Sequence, residues 1–234
     1  MSQAEVARSL DVSERWFRDL ERGVIPPRLS RKLIDRLAEV LSLGPDEHWA
    51  LCQYAAGTTP LTKEASQTDL NTVRLLLDRQ SPAPAYCTDS LWNIVALNQE
   101  MHAWFPWAKL PQANLMHWIL TDPEAREILV DWIDHVPVFL AQIRFALACR
   151  PDDSELAMLV EDVLREPECF RIWTEDRSVT AYADGRVFRL RLPGREREEV
   201  EVVSHVLIPA YSQDLRLVIL APREPACGPG PGRA

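Results

Sequence analysis

The chain has 234 residues, enough for one large or two small domains, and an apolar fraction of 47% that suits folded cores. It holds no run of about 18 apolar residues and no apolar leader ahead of its first polar helix, which argues against a membrane span and a secretion signal and for a soluble, cytoplasmic protein. The net charge of −9 is uneven: residues 1–36 sum to +2 and the remainder to −11, an acidic body with a weakly basic end. Five scattered cysteines with no C-x-x-C pair fit reduced, buried thiols rather than a disulfide frame or a zinc site.

Residues 2–23, SQAEVARSLDVSERWFRDLERG, read as two short helices around a tight turn. Ser2 and Glu5 make an S-x-x-E capping box, and Val6, Ala7 and Leu10 recur at helical spacing. Asp11-Val12 forms the turn and Ser13 caps the second helix, which turns Trp16, Phe17 and Leu20 inward and leaves Glu14, Arg15, Arg18, Asp19 and Arg22 outside. A helix with a buried stripe and an outer guanidinium row suits the major groove of double-stranded DNA. The alternative is a solvated helical hairpin.

After Pro26-Pro27 a third helix is predicted to about Leu43, with Leu33, Ile34, Leu37, Val40 and Leu41 on its core face and Gly44 as its stop. A fourth starts at Pro45 and carries Trp49, Cys52 and Ala56. Ala83–Thr88 and Leu91–Leu97 read as strands, followed by a helical stretch from about Gln99 to Asp176. Its main helix is expected to begin near Pro123 and to bend at Pro137. Strands return at Arg186–Leu192, Val200–Pro209 and Leu215–Ala221. The predicted organisation is an all-α helix-turn-helix domain over 1–57, a linker over 58–68, an α+β domain with an antiparallel sheet over 69–222, and a disordered tail over 223–234.

The stretch SQAEVA…VSERWFRDLERG…PP…LIDRLAEVLSL resembles the helix-turn-helix of XRE-type bacterial repressors. The segments LWNIVALNQEMHAWF, NLMHWILTDPEAR, Asp131-Trp132, RPDDSELAMLVEDVL and PECFRIW are similar to the MmyB-like ligand-binding domain. The resemblance implies a transcription regulator with a PAS-like C-terminal domain for a small hydrophobic ligand such as a fatty acid. Two departures stand out. The family has a helix ahead of Ser2, whose loss would leave Val6, Leu10 and Leu37 uncovered, and its HP-containing strand is replaced by RLRLPGREREEVEV.

For DNA, Ser13, Glu14, Arg15 and Arg18 start the second helix and lie nearest base edges, with Arg22, Arg28 and Arg31 along the backbone. Gln3 matches the family's phosphate-contacting glutamine. A charge of only +2 requires a homodimer on a palindromic operator.

For the ligand, Trp104, Trp118, Trp132, Phe139 and Trp173 belong to an aromatic set that serves core and pocket alike. Arg144, inside VFLAQIRFALA, must snorkel out to solvent or find an anion, either a ligand carboxylate or Asp131 or Glu155. Asn98 matches the family's AWN asparagine or only forms a turn, and His117 beside Trp118 reads as a pocket or core hydrogen-bonder. No metal, cofactor, P-loop or nucleophile-elbow pattern is present, so the chain is not read as an enzyme. The competing readings are a regulator acting through protein contacts after losing DNA binding, and an enzyme with an appended helix-turn-helix.

Overall fold

A computed structural model of the chain describes residues 2–24, 29–56, 67–181, 184–192, 199–209 and 214–223. The first part holds four helices: α1 (Gln3–Leu10), α2 (Glu14–Glu21), α3 (Arg31–Leu41) and α4 (Pro45–Ala56). The body follows with α5 (Gln67–Asp78), β1 (Ala85–Thr88), β2 (Ile94–Leu97), α6 (Gln99–Trp104), α7 (Leu115–Thr121) and α8 (Pro123–Ile128). It ends with α9 (Trp132–Cys149), α10 (Ser154–Val163), α11 (Pro167–Glu175), β3 (Arg186–Arg191), β4 (Glu199–Leu207) and β5 (Arg216–Pro222). This is a helical region followed by an α+β domain with one antiparallel sheet.

The capping box forms as the sequence requires. Ser2 N donates to Glu5 Oε2 at 2.7 Å and Ser2 Oγ accepts from Glu5 N at 3.3 Å. Asp11 ends α1 in the left-handed region at φ 61°, and Ser13 Oγ accepts from Trp16 N to start α2. Val6, Leu10 and Leu37 are buried with Phe17 in one small core, so the described helices cover the three residues expected to lie open. Two other expectations shift. The left-handed cap of α3 is Ser42 rather than Gly44, and Leu41 faces outward at 42% exposure, leaving Leu33, Ile34, Leu37, Ala38 and Val40 on the core side.

The five strands lie in the order β2-β1-β5-β4-β3, all antiparallel, so the first and last strands in sequence occupy the centre. Helix α5, where no element is predicted, covers one face at β1, β2 and β5, packing Val73 and Leu77 on Ala85, Cys87 and Ala96. The expected linker therefore keeps only Gln67 and Thr68 among the described residues, as the first turn of α5, and the tail beyond Arg223 lies outside them. Helices α6 to α11 close over the other face around the main core.

The helix expected from Pro123 is two helices. Leu129 leaves the helical path to bridge Leu190, and Val130 N donates to Arg189 O, so the chain pairs briefly with β3 before α9 begins. α9 then runs through Pro137 uninterrupted. β2 starts at Ile94, later than expected, because the Asp89 carboxylate accepts from Leu91 N and Asn93 N and folds 89–93 into a turn. Helix α4 packs on α9 through Ala50 against Phe145, with Cys149 and Val179 beside them.

Candidate functional site

Between the sheet's inner face and helices α6, α7 and α9 lies a cavity of about 110 Å³. On the scale on which an apolar cavity of about 150 Å³ holds one benzene, it admits a group of a few heavy atoms with its walls as they stand. The walls are mainly aromatic and aliphatic. Trp107 stacks on Trp118 at 4.4 Å, and Phe139 stacks on Phe188 at 6.2 Å.

A few polar groups interrupt this lining, and strand parity explains them. Side chains alternate between the faces of a strand, so Arg186 shares the inner face with Phe188 and Leu190, and Arg216 shares it with Val218 and Leu220. Gly185, at φ 69°, turns the chain into β3 just ahead of Arg186. Arg186 Nη2 donates to His135 Nδ1 at 2.9 Å, while its buried Nε has no acceptor among the described residues. Burial lowers the Arg186 pKa, and burial with the adjacent guanidinium lowers that of His135, against the opposing pull of Asp131 and Asp134. The imidazole is thus held neutral with Nδ1 as acceptor. Burial likewise raises the Tyr86 phenol, another wall residue. Across the cavity Arg216 Nη1 donates to Asp89 O at 3.1 Å, and its guanidinium sits 5.7 Å above Trp92.

In the helical region, Arg15 is almost fully exposed and lies 3.8 Å from Asp19, which also takes Arg22 Nη2 at 2.6 Å. Glu14 and Arg18 are exposed on the same helix. Gln3 Nε2 donates to Glu21 Oε2, tying the start of α1 to the end of α2. Arg28 and the Arg31 side chain lie outside the described residues.

Residues 71–226 match the MmyB-like transcription regulator ligand binding domain. The chain belongs to this family. Among curated proteins no relative matches. The match starts at α5 and runs through the sheet, so it contains the whole cavity and leaves α1 to α4 ahead of it.

Within the ligand-binding domain the structure sorts the sequence-derived candidates. Trp118 and Phe139 line the cavity, whereas Asn98, Trp104, His117, Trp132, Arg144 and Trp173 do not. Arg144 finds neither Asp131 nor a cavity. It donates to the carbonyls of Trp173 at 2.8 Å and Ser178 at 3.3 Å and stacks 4.2 Å over the Trp173 ring. Asp131 instead holds Arg189 through two short bonds. Asn98 is a buried latch whose Oδ1 accepts from Ala85 N and Met101 N and whose Nδ2 donates to the carbonyls of Leu77 and Ala83. Trp132 Nε1 donates to Ile119 O, and His117 is exposed beside Thr121. The family-like segments are also structural here: Asp122 caps α8 and Asp153 caps α10. The two inward arginines were missed, although their even spacing from Phe188 and from Val218 and Leu220 is visible in the sequence.

Proposed function

We propose that this regulator binds a fatty acid in the cavity, with the carboxylate at Arg186, and that ligand occupancy changes how a homodimer presents its two α2 helices to a palindromic DNA site. The observation that carries the reading is an apolar cavity whose wall includes a half-buried arginine with a buried, unused Nε–H and no carboxylate in salt-bridge range among the described residues. Neutral His135 holds one edge of that guanidinium and leaves its charge uncompensated, which favours an anionic guest. The role sought for Arg144 passes to Arg186 because Arg144 already spends its donors on carbonyls outside the cavity. For DNA, the support is the exposed face of α2. Ion pairs there are weak and exchange readily for phosphate.

Calorimetry tests the head-group assignment. A long-chain fatty acid should bind the wild type about tenfold or more tighter than its methyl ester, since a charge-assisted hydrogen bond adds about 1.5–3 kcal/mol for the ionised head alone. Arg186→Leu should remove that preference and keep most of the affinity from the chain. Equal binding of acid and ester by the wild type, or a preference that survives in the variant, defeats the assignment.

A further inference from the structure

The outer face of the sheet, turned away from the cavity, is covered over only part of its width. Val73 and Leu77 of α5 seal Ala85, Cys87, Ala96 and Leu217 there. The strand parity that sends Phe188, Val202 and Ser204 inward sends Val187, Val203 and Leu207 outward. Val187 and Leu207 are 38% and 51% exposed, and Val203 and Ala221, paired in the row of Val187, are half-buried. His205, with Nδ1 3.9 Å from Asp184, lies between Val203 and Leu207 on the same face.

Helix α5 is itself apolar on two opposite sides. Val73 and Leu77 face the sheet, and Leu75, two residues from each, lies about 200° around the helix. Leu75 is 67% exposed and Leu76 beside it 51%. A surface helix needs one apolar stripe; a second on the opposite side marks contact with a further layer.

We infer that these two surfaces cover each other between two copies of the chain. In this two-fold pairing the outward side of α5 of one copy lies on the open β3–β4 strip of the other, and the reverse. The inference rests on the homodimer proposed above and places its interface. Shape favours a second copy, because a helix about 10 Å thick beside bare strands forms a step that its own two-fold image fills, as a sheet–helix–sheet sandwich. Charge agrees. Beyond the apolar rows the face continues with Arg189, Arg191 and Arg223, which pair with Glu199 and Glu201 at 3.0–3.8 Å within the chain. Two chains of net charge −9 thus meet there with compensated ions. The open strands measure about 30 by 14 Å and the outward side of α5 about 18 by 10 Å, so a pair buries about 1,200 Å², the lower end for stable interfaces. Residues 224–234, EPACGPGPGRA, bring no large apolar side chain that could serve as the cover instead.

Sedimentation velocity on the full chain tests the assignment. Leu75→Glu and Leu207→Glu, at positions exposed in the single chain, should each weaken dimerisation about tenfold or more, because each buries a carboxylate against the partner. Phe170→Glu, at a similarly exposed apolar position on α11, should leave it within about threefold. Far-UV circular dichroism and a cooperative urea transition check that the variants fold. If the wild type dimerises and both variants dimerise as tightly, the contact lies elsewhere: the inference fails and the homodimer reading stands. Loss in only one of the two shows that helix and strands do not face each other, and overturns the reciprocal pairing. If the wild type stays monomeric at about 100 μM, the strip belongs to a different partner and both readings fall.

Discussion

At the scale of the residue, His135 is the group whose protonation reports most directly on the cavity. Its pKa in the folded chain lies below the ordinary histidine value of about 6.5, first because it is buried and then because Arg186 faces it from β3. Asp131 and Asp134, which flank the start of α9, pull the other way and are outweighed. A histidine with a lowered folded pKa is protonated more readily in the unfolded chain. Its stability contribution is therefore complete above about pH 6.5 and is lost as pH falls through the folded pKa. Urea unfolding of the wild type at descending pH should show this loss, and His135→Gln should flatten the slope in that window. An unchanged slope would mean that His135 does not titrate on unfolding. The buried thiols behave differently: burial pushes Cys87 up to about 12 and Cys169 up to about 11, so both are inert at neutral pH.

At the scale of the element, α2 and the capped helices of the body show how local signals become surfaces. The first turn of α2 is fixed by Ser13, which sets the direction in which Glu14, Arg15 and Arg18 project. If α2 reads the major groove, Arg15→Ala and Arg18→Ala should each lower affinity for the operator by about 1–3 kcal/mol and reduce discrimination against a scrambled duplex. Titration of both duplexes by fluorescence anisotropy measures this. Unchanged discrimination in both variants removes α2 from the role. In the body, Asp122-Pro123 and Asp153-Ser154 start helices by satisfying free N–H groups, and Arg126 then lies 4.4 Å over Trp132 beside Glu166. Asp122 and Asp153 thus shape the cavity from outside, while Trp92, Met101, Phe105, Met116 and Trp118 of the same family-like segments line it.

At the scale of the whole molecule, α9 connects the cavity to the helical head. Phe139 and Gln142 line the cavity, and Phe145, one further turn along the same stripe, packs with Ala50 of α4. Past the end of α9, Arg150 donates from both Nη atoms to Ser90, within the turn whose Asp89 carbonyl receives Arg216. A ligand that shifts α9 against the sheet must therefore move α4 or break its packing. Phe145→Ala should leave ligand affinity within about threefold while reducing the change in DNA affinity on ligand addition, a loss of coupling on the order of 1 kcal/mol. Anisotropy titrations with and without ligand give that coupling directly. Full coupling in the variant would show that the signal passes by another route.

What the sequence determines alone is local. Capping boxes, turn residues and periodicity placed α1, α2, α4 and the β-strands to within a few residues, because each depends on hydrogen bonds and side-chain directions set within one or two turns of chain. The boundary between α8 and α9 was not legible, since it depends on Leu129 meeting Leu190, about sixty positions away. The cavity followed the same rule. Arg144 looked like an anion site because an arginine among apolar neighbours needs a partner, and the sequence could not say that the carbonyls of Trp173 and Ser178 would supply it. Arg186 and Arg216 became neighbours of one space only when β3, β4, β5 and β1 paired in that order and register. Local chemistry fixes which groups must be satisfied; tertiary packing alone decides which are satisfied by the protein and which are left for a ligand.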